Sequence, residues 1–320
     1  MTASLPPQRL PAMRIDLAGW TRDATHGDTR AFFALFEEAD RLGFDGVWFS
    51  EFRLTADARP YPSPLLLASA LLARTERLRV GTAVLVLPLH QPQLLAEELQ
   101  QLAWQSGKRF DAGLGRGTDP ATLQALGIPA DATRACFEAG LEVLLVGEHP
   151  PLYIAGSTPE TIGLAVRHAL PLLLSLEPPE IKQLAELDAQ AGAVSGQLRT
   201  SLRARSSLAR YVCIGATQAE VEGQLQDLWP RLHARRIYFA GRRGVPAHEV
   251  PPPDTGRMLS EQFIAGTPDA CHAQIMALRE STGIGHLRCV FNGNGLLDNA
   301  QALKQMRMFA NSVLPALRAV

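Results

Sequence analysis

Eight short apolar runs, each followed by a longer segment of helical period, constrain this chain more than any other feature. The runs are Met13–Trp20, Gly46–Ser50, Arg79–Leu87, Arg109–Gly115, Leu152–Gly156, Leu170–Leu176, Ser207–Gly215 and His286–Phe291. Arg79–Leu87 is apolar almost throughout, the pattern of a strand buried on both faces of a parallel sheet. Between the runs, Phe32, Leu35, Phe36, Ala39 and Leu42 share one helical face of Thr29–Leu42, and Gly43 ends it. Ser63-Pro64 reads as an N-cap with proline at the first helical position, opening a helix to Arg74. Further helices are predicted over Pro92–Gln105, Ala132–Val146 and about 179–190, and over the last stretch, which buries Leu303, Met306, Ala310, Val313, Leu314 and Leu317. Ser157-Thr-Pro-Glu160 and Thr217-Gln-Ala-Glu220 read as capping boxes, opening helices to His168 and about His233, and Thr267-Pro268 caps one to Ser281.

Eight strand–helix units joined by right-handed crossovers close into a (β/α)8 TIM barrel, with an open doubly wound sheet as the alternative. The expected organisation is a loose tail, Met1–Ala12, followed by one barrel domain over residues 13–320. Residues 234–266, rich in Arg, Gly and Pro, interrupt the alternation and read as an excursion loop after the seventh helix. The link from Gly147 to Pro151 between the fourth helix and fifth strand is short, which is expected to open one wall of the pocket or leave it to a partner.

Composition narrows the function. Lys and Arg number 31 against 32 Asp and Glu, a formal net charge of -1, which gives no reason to expect nucleic acid or an anionic membrane as partner. No apolar stretch approaches the ~20 residues of a membrane span, and the N-terminus lacks the apolar core of a secretory signal. The four cysteines, Cys136, Cys213, Cys271 and Cys289, form no CxxC pair, and the eight histidines show no metal-binding spacing. Reduced thiols, a cytoplasmic location and no metal are the expectation.

Gly113-Leu-Gly115-Arg-Gly117-Thr118 stands at the end of the fourth strand. A dinucleotide fingerprint needs glycine where Thr118 stands, so the run reads instead as a strand end kept small for a close approach to the backbone. Arg116 then lies at the carboxyl edge of the barrel, beside Ser157, Thr158 and the free N–H groups opening the next helix. A guanidinium next to a helix N-terminus suits a phosphate.

The ordered set of motifs resembles the bacterial luciferase-like flavin monooxygenases. It comprises Gly43-Phe-Asp-Gly46-Val-Trp48 with Glu51, Arg77-Leu-Arg79-Val-Gly81-Thr-Ala83 with Leu87-Pro88, Gln91-Pro92, Ala96-Glu97, Gly107-Lys-Arg109-Phe110 and Gly115-Arg116-Gly117. Ile154-Ala155-Gly156-Ser157, Leu170-Pro171-Leu172, Gly266-Thr-Pro268, Gly283-Ile and Phe291-Asn-Gly-Asn-Gly295 complete it. The resemblance implies a (β/α)8 barrel that binds reduced FMN, or in some branches F420. It implies a dimer, homo- or heterotypic, served by a separate flavin reductase. It places Arg116, Ser157 and Thr161 at the flavin phosphate, a non-proline cis bond at Ala83-Val84 against the ring, and Glu51 as the acidic residue after strand two. The implied activity is monooxygenation of a small organic substrate through a C4a-hydroperoxyflavin. A non-catalytic flavin-binding or accessory subunit and an F420-dependent oxidoreductase are the alternatives.

The chain also departs from the pattern. Where relatives read Glu-His-His, it reads Glu51-Phe52-Arg53, so the usual base is absent; the reactive cysteine of the luciferase large subunit falls at Gly115. His90, just past strand three, is the candidate replacement, with Glu51 beside it. His168 and His286 fall near strand starts and read as structural. Arg231, Arg235, Arg236, Arg242 and Arg243 form a basic cluster that is either a solvated face or a steering patch for an anionic flavin.

Overall fold

The computed structural model describes residues 12–20, 28–54, 62–117, 119–241, 244–293 and 295–319. Its strands are β1 (Arg14–Leu17), β2 (Gly46–Phe49), β3 (Arg79–Thr82), β4 (Leu85–Val86), β5 (Phe110–Gly115), β6 (Leu152–Ala155), β7 (Leu172–Leu174), β8 (Ser207–Ile214), β9 (Phe263–Gly266) and β10 (His286–Val290). The helices are α1 (Thr29–Leu42), α2 (Pro64–Leu72), α3 (Pro92–Gln105), α4 (Pro120–Ala125), α5 (Thr133–Leu145), α6 (Pro159–Arg167) and α7 (Glu180–Val194). They continue with α8 (Gly196–Arg205), α9 (Gln218–Gly241), α10 (Thr255–Gln262), α11 (Pro268–Thr282), α12 (Asn299–Ser312) and α13 (Leu314–Arg318).

Neighbouring strands run parallel in the order β1-β2-β3-β5-β6-β7-β8-β10, and β10 pairs back onto β1, which closes an eight-stranded barrel. This is the expected (β/α)8 TIM barrel, and each of the eight apolar runs contains one barrel strand. Two short strands were not foreseen. β4 is a second pairing onto β5, and β9 takes up the edge of β8 beyond the reach of β7.

Residues 234–266 are not a simple loop. α9 continues to Gly241, and α10 and β9 follow. The Ala and Arg residues at 234–236 are sound helix formers, and Ala240 is buried. The helix expected to end near 190 runs to Val194, and α8 follows it. The expected tail lies outside the described residues except for Ala12, as do Arg242 and Arg243 of the basic cluster. The short link after α5 corrects another expectation. It joins a helix end to a strand start, so it lies at the N-terminal face, where His149 and Pro151 share a cavity with Arg14 and His286.

Four side chains fill each interior layer of such a barrel, contributed by alternate strands. The strand registers place Asp16, Gly81, Tyr153 and Ser207 in one layer, and Trp48, Gly113, Leu173 and Arg288 in the next. Ala18, Ala83, Ala155 and Ala209 form the layer above. The lower layers are charged and aromatic. Asp16 Oδ2 accepts from Arg14 Nη2 at 2.5 Å, Trp48 Nε1 at 2.5 Å and His286 Nε2 at 2.9 Å. Asp111 accepts from Arg14 at 2.8 Å and from Arg79 at 2.5 and 2.9 Å. Burial would raise the Asp16 carboxyl, but Arg14 and His286 outweigh it and hold it well below the ordinary carboxylate range. Burial lowers His286, despite Asp16, so its ring is neutral at neutral pH.

The folded state thus keeps Asp16 ionised and His286 neutral, and the unfolded chain binds more protons as the pH falls. Stability declines first below about pH 6.5 and again below about pH 4, the ordinary ranges of His and Asp. Asp16→Asn breaks the buried pair and is expected to cost about 3–5 kcal/mol at neutral pH. Denaturant titration measures this, and the deficit narrows below about pH 4 as wild type loses the same contribution.

Candidate active site

The C-terminal ends of four adjacent strands, β2, β3, β5 and β6, carry the sequence-predicted site residues. Between β3 and β4 the Ala83–Val84 peptide bond is cis, as the resemblance implied. Ser50 Oγ donates to the Ala83 carbonyl at 2.6 Å, and the Glu51 amide donates to the Val84 carbonyl at 3.2 Å. The end of β2 therefore clamps this segment from one side.

The glycines of β5 hold it from the other. A Cβ on Gly113 would stand 2.0 Å from the Thr82 carbonyl, one on Gly115 2.5 Å from Val84 Cγ2, and one on Gly117 2.2 Å from Val86 Cγ1. Gly117 also has φ +70°, a left-handed conformation that favours glycine. The glycine run serves the close approach of the protein's own backbone. It also explains the missing cysteine, because position 115 has no space for a side chain.

Glu51 and His90 come together. The Glu51 side chain is buried, and both its oxygens lie 3.0 Å from His90 Nε2. It also accepts from Arg53 Nε at 2.8 Å and from the Val86 amide at 2.8 Å. Burial alone would raise its pKa, but the His90 hydrogen bond and charge, the Val86 amide and Arg53 outweigh that and hold it below the ordinary value. The carboxylate is ionised at neutral pH and anchors His90 at the edge of the mouth.

Arg116 follows β5 directly. It is half-buried, and among the described residues it has no hydrogen-bond or ion-pair partner. Its charge reaches the first turn of α6. There the Glu160 carboxyl is lowered by its own backbone amide and by Thr158, with smaller contributions from Arg134 and Arg116. The N-cap of α6 is Thr158 rather than Ser157: its hydroxyl accepts from the Thr161 amide at 3.4 Å and lies 3.1 Å from Thr161 Oγ1. Ser157 is thereby left just outside the helix, half-buried beside Gly156, whose Cβ would stand 2.6 Å from Thr161 Cγ2. At the opening of α6 Pro159 carries no N–H, the Glu160 amide meets its own carboxylate and the Thr161 amide is capped by Thr158, so Ser157 and the Arg116 guanidinium are the groups there left without these engagements.

The other candidates lie apart from this group. His286 is held in the lower layers, and His168 caps α6 beside Glu142 at 3.2 Å. Arg231 and Arg235 donate to the Leu296 and Gly293 carbonyls, fastening α9 to the loop after β10. Burial pushes the Cys213 and Cys271 thiols up to about 12, so neither supplies a thiolate at neutral pH. Two features escaped the sequence reading: the four-alanine layer beneath the mouth, and Arg288 under it. A charged residue inside the otherwise apolar run His286–Phe291 was the available signal for the second.

The cis Ala83–Val84 bond and the Glu51–His90 pair lie at the carboxyl edge of a (β/α)8 barrel, the face that carries the active site in barrel enzymes. Residues 14–146 and 142–286 match the model of the luciferase-like monooxygenase family, and the chain belongs to that family. It is 28% identical over 321 residues to 4-hydroxyprotoasukamycin monooxygenase of Streptomyces nodosus subsp. asukaensis, covering 88% of this chain and 85% of that one. It is 24% identical over 341 residues to an alkanal monooxygenase alpha chain of Photorhabdus luminescens, covering 88% and 89%. Two solved structures share the fold. The oxygenating constituent of 3,6-diketocamphane monooxygenase from Pseudomonas putida, in complex with FMN, gives a TM-score of 0.72 at 17% identity over 95% and 98% of the chains. The coenzyme F420 dependent tetrahydromethanopterin reductase of Methanopyrus kandleri gives 0.66 at 15% identity over 96% and 100%.

Gly115→Cys restores the thiol at this position but forces Val84 aside. It is expected to cost about 1–3 kcal/mol, read as a lowered midpoint in thermal or denaturant unfolding, whereas Gly192→Ala, in α7 with open space around it and no left-handed backbone, is not expected to lower it.

Proposed function

We propose that this chain is the oxygenating component of a two-component monooxygenase. It takes reduced FMN from a separate reductase and oxygenates a small organic substrate with O2. The observation that carries this reading is an Arg116 without a partner among the described residues, near the opening of α6, together with a layer of four alanines. That layer holds only small side chains, and Arg116 with the Ser157 and Thr161 hydroxyls would hold the phosphate. The residues present therefore fit FMN: Arg116, Ser157 and Thr161 at the phosphate, and Ala83 and Val84 against the ring. Full-length relatives named for monooxygenation favour FMN and oxygen over F420 and hydride transfer.

Bound flavin supplies the activation of O2. The chain's residues do the rest. The alanine floor and the Ala83–Val84 segment seat the ring and keep water from its lower face. Glu51 holds His90 at Nε2, which leaves Nδ1 as the atom at which the imidazole can take or return a proton. This pair stands in for the histidine that Phe52 replaces. The exposed apolar residues Leu66 of α2 and Leu94 and Trp104 of α3 lie on helices joined by Gln105 Nε2 to Ser69 Oγ at 2.8 Å. This face is the proposed contact of a dimer, with an identical or a related chain.

Phe52 also favours a second reading, a non-catalytic flavin carrier. Rapid mixing of protein preloaded with FMNH2 against oxygenated buffer separates the two. A long-lived transient absorbance, distinct from oxidised and reduced flavin, is expected of the monooxygenase. Oxidation at the rate of free FMNH2 despite tight binding would leave the carrier. Arg116→Ala is expected to weaken FMN by about 1.5–3 kcal/mol, roughly ten- to a hundredfold, as loss of a charge-assisted hydrogen bond does; unchanged affinity would remove Arg116 from the phosphate. His90→Gln is expected to slow substrate oxygenation by about 10²–10⁴-fold with flavin affinity retained, the range for a lost acid–base group.

A further inference from the structure

Arg288 occupies the middle of β10, inside the barrel, in the layer immediately below the four alanines. Its Nε donates to Ser207 Oγ at 2.8 Å and its Nη2 to the Leu174 carbonyl at 2.6 Å. The guanidinium lies 6.0 Å from the Trp48 ring. Among the described residues no carboxylate lies within ion-pair distance. Asp16, the carboxylate acting on it from a distance, is already engaged by Arg14, Trp48 and His286. Burial lowers the Arg288 pKa to about 10, so the group remains cationic at neutral pH. Arg210 on β8 shows the ordinary solution, since it is buried with Glu180 at 2.7 Å. A buried cation without a counter-charge is costly, and the open side of its layer faces the alanine floor.

Resting on the FMN reading, we propose that Arg288 is an electrostatic positioning residue that favours the reduced, anionic flavin over the oxidised one. Two electrons from the reductase and one proton convert neutral oxidised flavin ring to the anionic reduced ring, and no second proton is needed when Arg288 supplies the balancing charge from below. The alanine layer keeps Arg288 out of contact with the ring while leaving no bulky side chain between them. Ser207 and Leu174 hold the guanidinium in place, so the field is fixed before flavin arrives.

The test compares oxidised FMN with dithionite-reduced FMN, bound anaerobically to the full chain, in wild type, Arg288→Met and Arg288→Lys. Wild type is expected to bind reduced FMN more tightly and to show the near-ultraviolet spectrum of the anionic reduced ring. Arg288→Met is expected to lose about ten- to a hundredfold of the affinity for reduced FMN, as removal of one charge at short range in a partly screened interior implies, with oxidised FMN changed less than threefold. The midpoint potential then falls by about 30–60 mV, at about 30 mV per tenfold for two electrons. Arg288→Lys, which keeps the charge, restores most of the preference and serves also where the Met variant fails to fold. Equal weakening of both redox states, a neutral reduced spectrum in wild type, or a Lys variant that behaves like Met overturns the assignment. Wild type that binds FMN in neither state removes the cofactor reading, and this inference with it; FMN bound without redox preference removes this inference alone.

Discussion

A closed barrel of eight strands must fill its own interior, and everything at the mouth depends on how this chain does so. The lower layers are packed with large, mutually bonded side chains: Arg14, Asp16, Arg79, Asp111, Trp48, Tyr153 and His286. Asp16 is the hub, since three donors from three different strands converge on its carboxylate. A buried charge is tolerable only when its partners are numerous and fixed. Once they are, the lower half ties β1, β2, β3, β5 and β10 together without help from above. The upper half can then forgo volume. Four alanines there would be a packing defect in an ordinary core, but at the carboxyl edge they are what the proposed seat for a flat ring requires.

This division was only half visible in the sequence. The strand–helix alternation was legible because it is local: each run and each helical face is written in consecutive residues. The barrel layers were not, because each takes its residues from strands that lie tens of positions apart, and register decides which of them meet. Ala18, Ala83, Ala155 and Ala209 are unremarkable until the pairings align them. The glycine run after strand four was read correctly as a place of close approach. What approaches it, the Thr82–Val86 segment, depends on the break in β3 at the cis bond, which no periodicity reports. Likewise the cap of α6 moved from Ser157 to Thr158, because both residues satisfy the same pattern and only backbone geometry separates them.

The meeting of Glu51 and His90 follows from the same break. A continuous β3 would carry residue 90 further along the barrel axis. Instead β4 and a 3-10 turn at Leu87–Leu89 fold the chain back, and the Val86 amide and His90 ring both reach the Glu51 carboxylate. Phe52 and Arg53, which looked like plain losses against the family pattern, then have different consequences. Phe52 offers no proton donor or acceptor. Arg53 binds Glu51 and adds to the His90 and Val86 contacts that hold its carboxyl below the ordinary value.

Net charge would have suggested no electrostatic role at all, since the chain is nearly neutral. Local arrangement says otherwise. Arg116 lies beside the opening of α6 and Arg288 beneath the alanine layer, while the carboxylates Glu51 and Asp16 are each engaged by several donors. Glu160, in the first turn of α6, offsets part of the Arg116 charge, so the balance at the mouth is local. A field of one sign in a cleft with low-dielectric walls acts on a ligand regardless of the sum over the surface. A dianionic phosphate and an anionic ring are the two parts of one cofactor that such a pair of positive regions, one lateral and one basal, would hold in a single orientation.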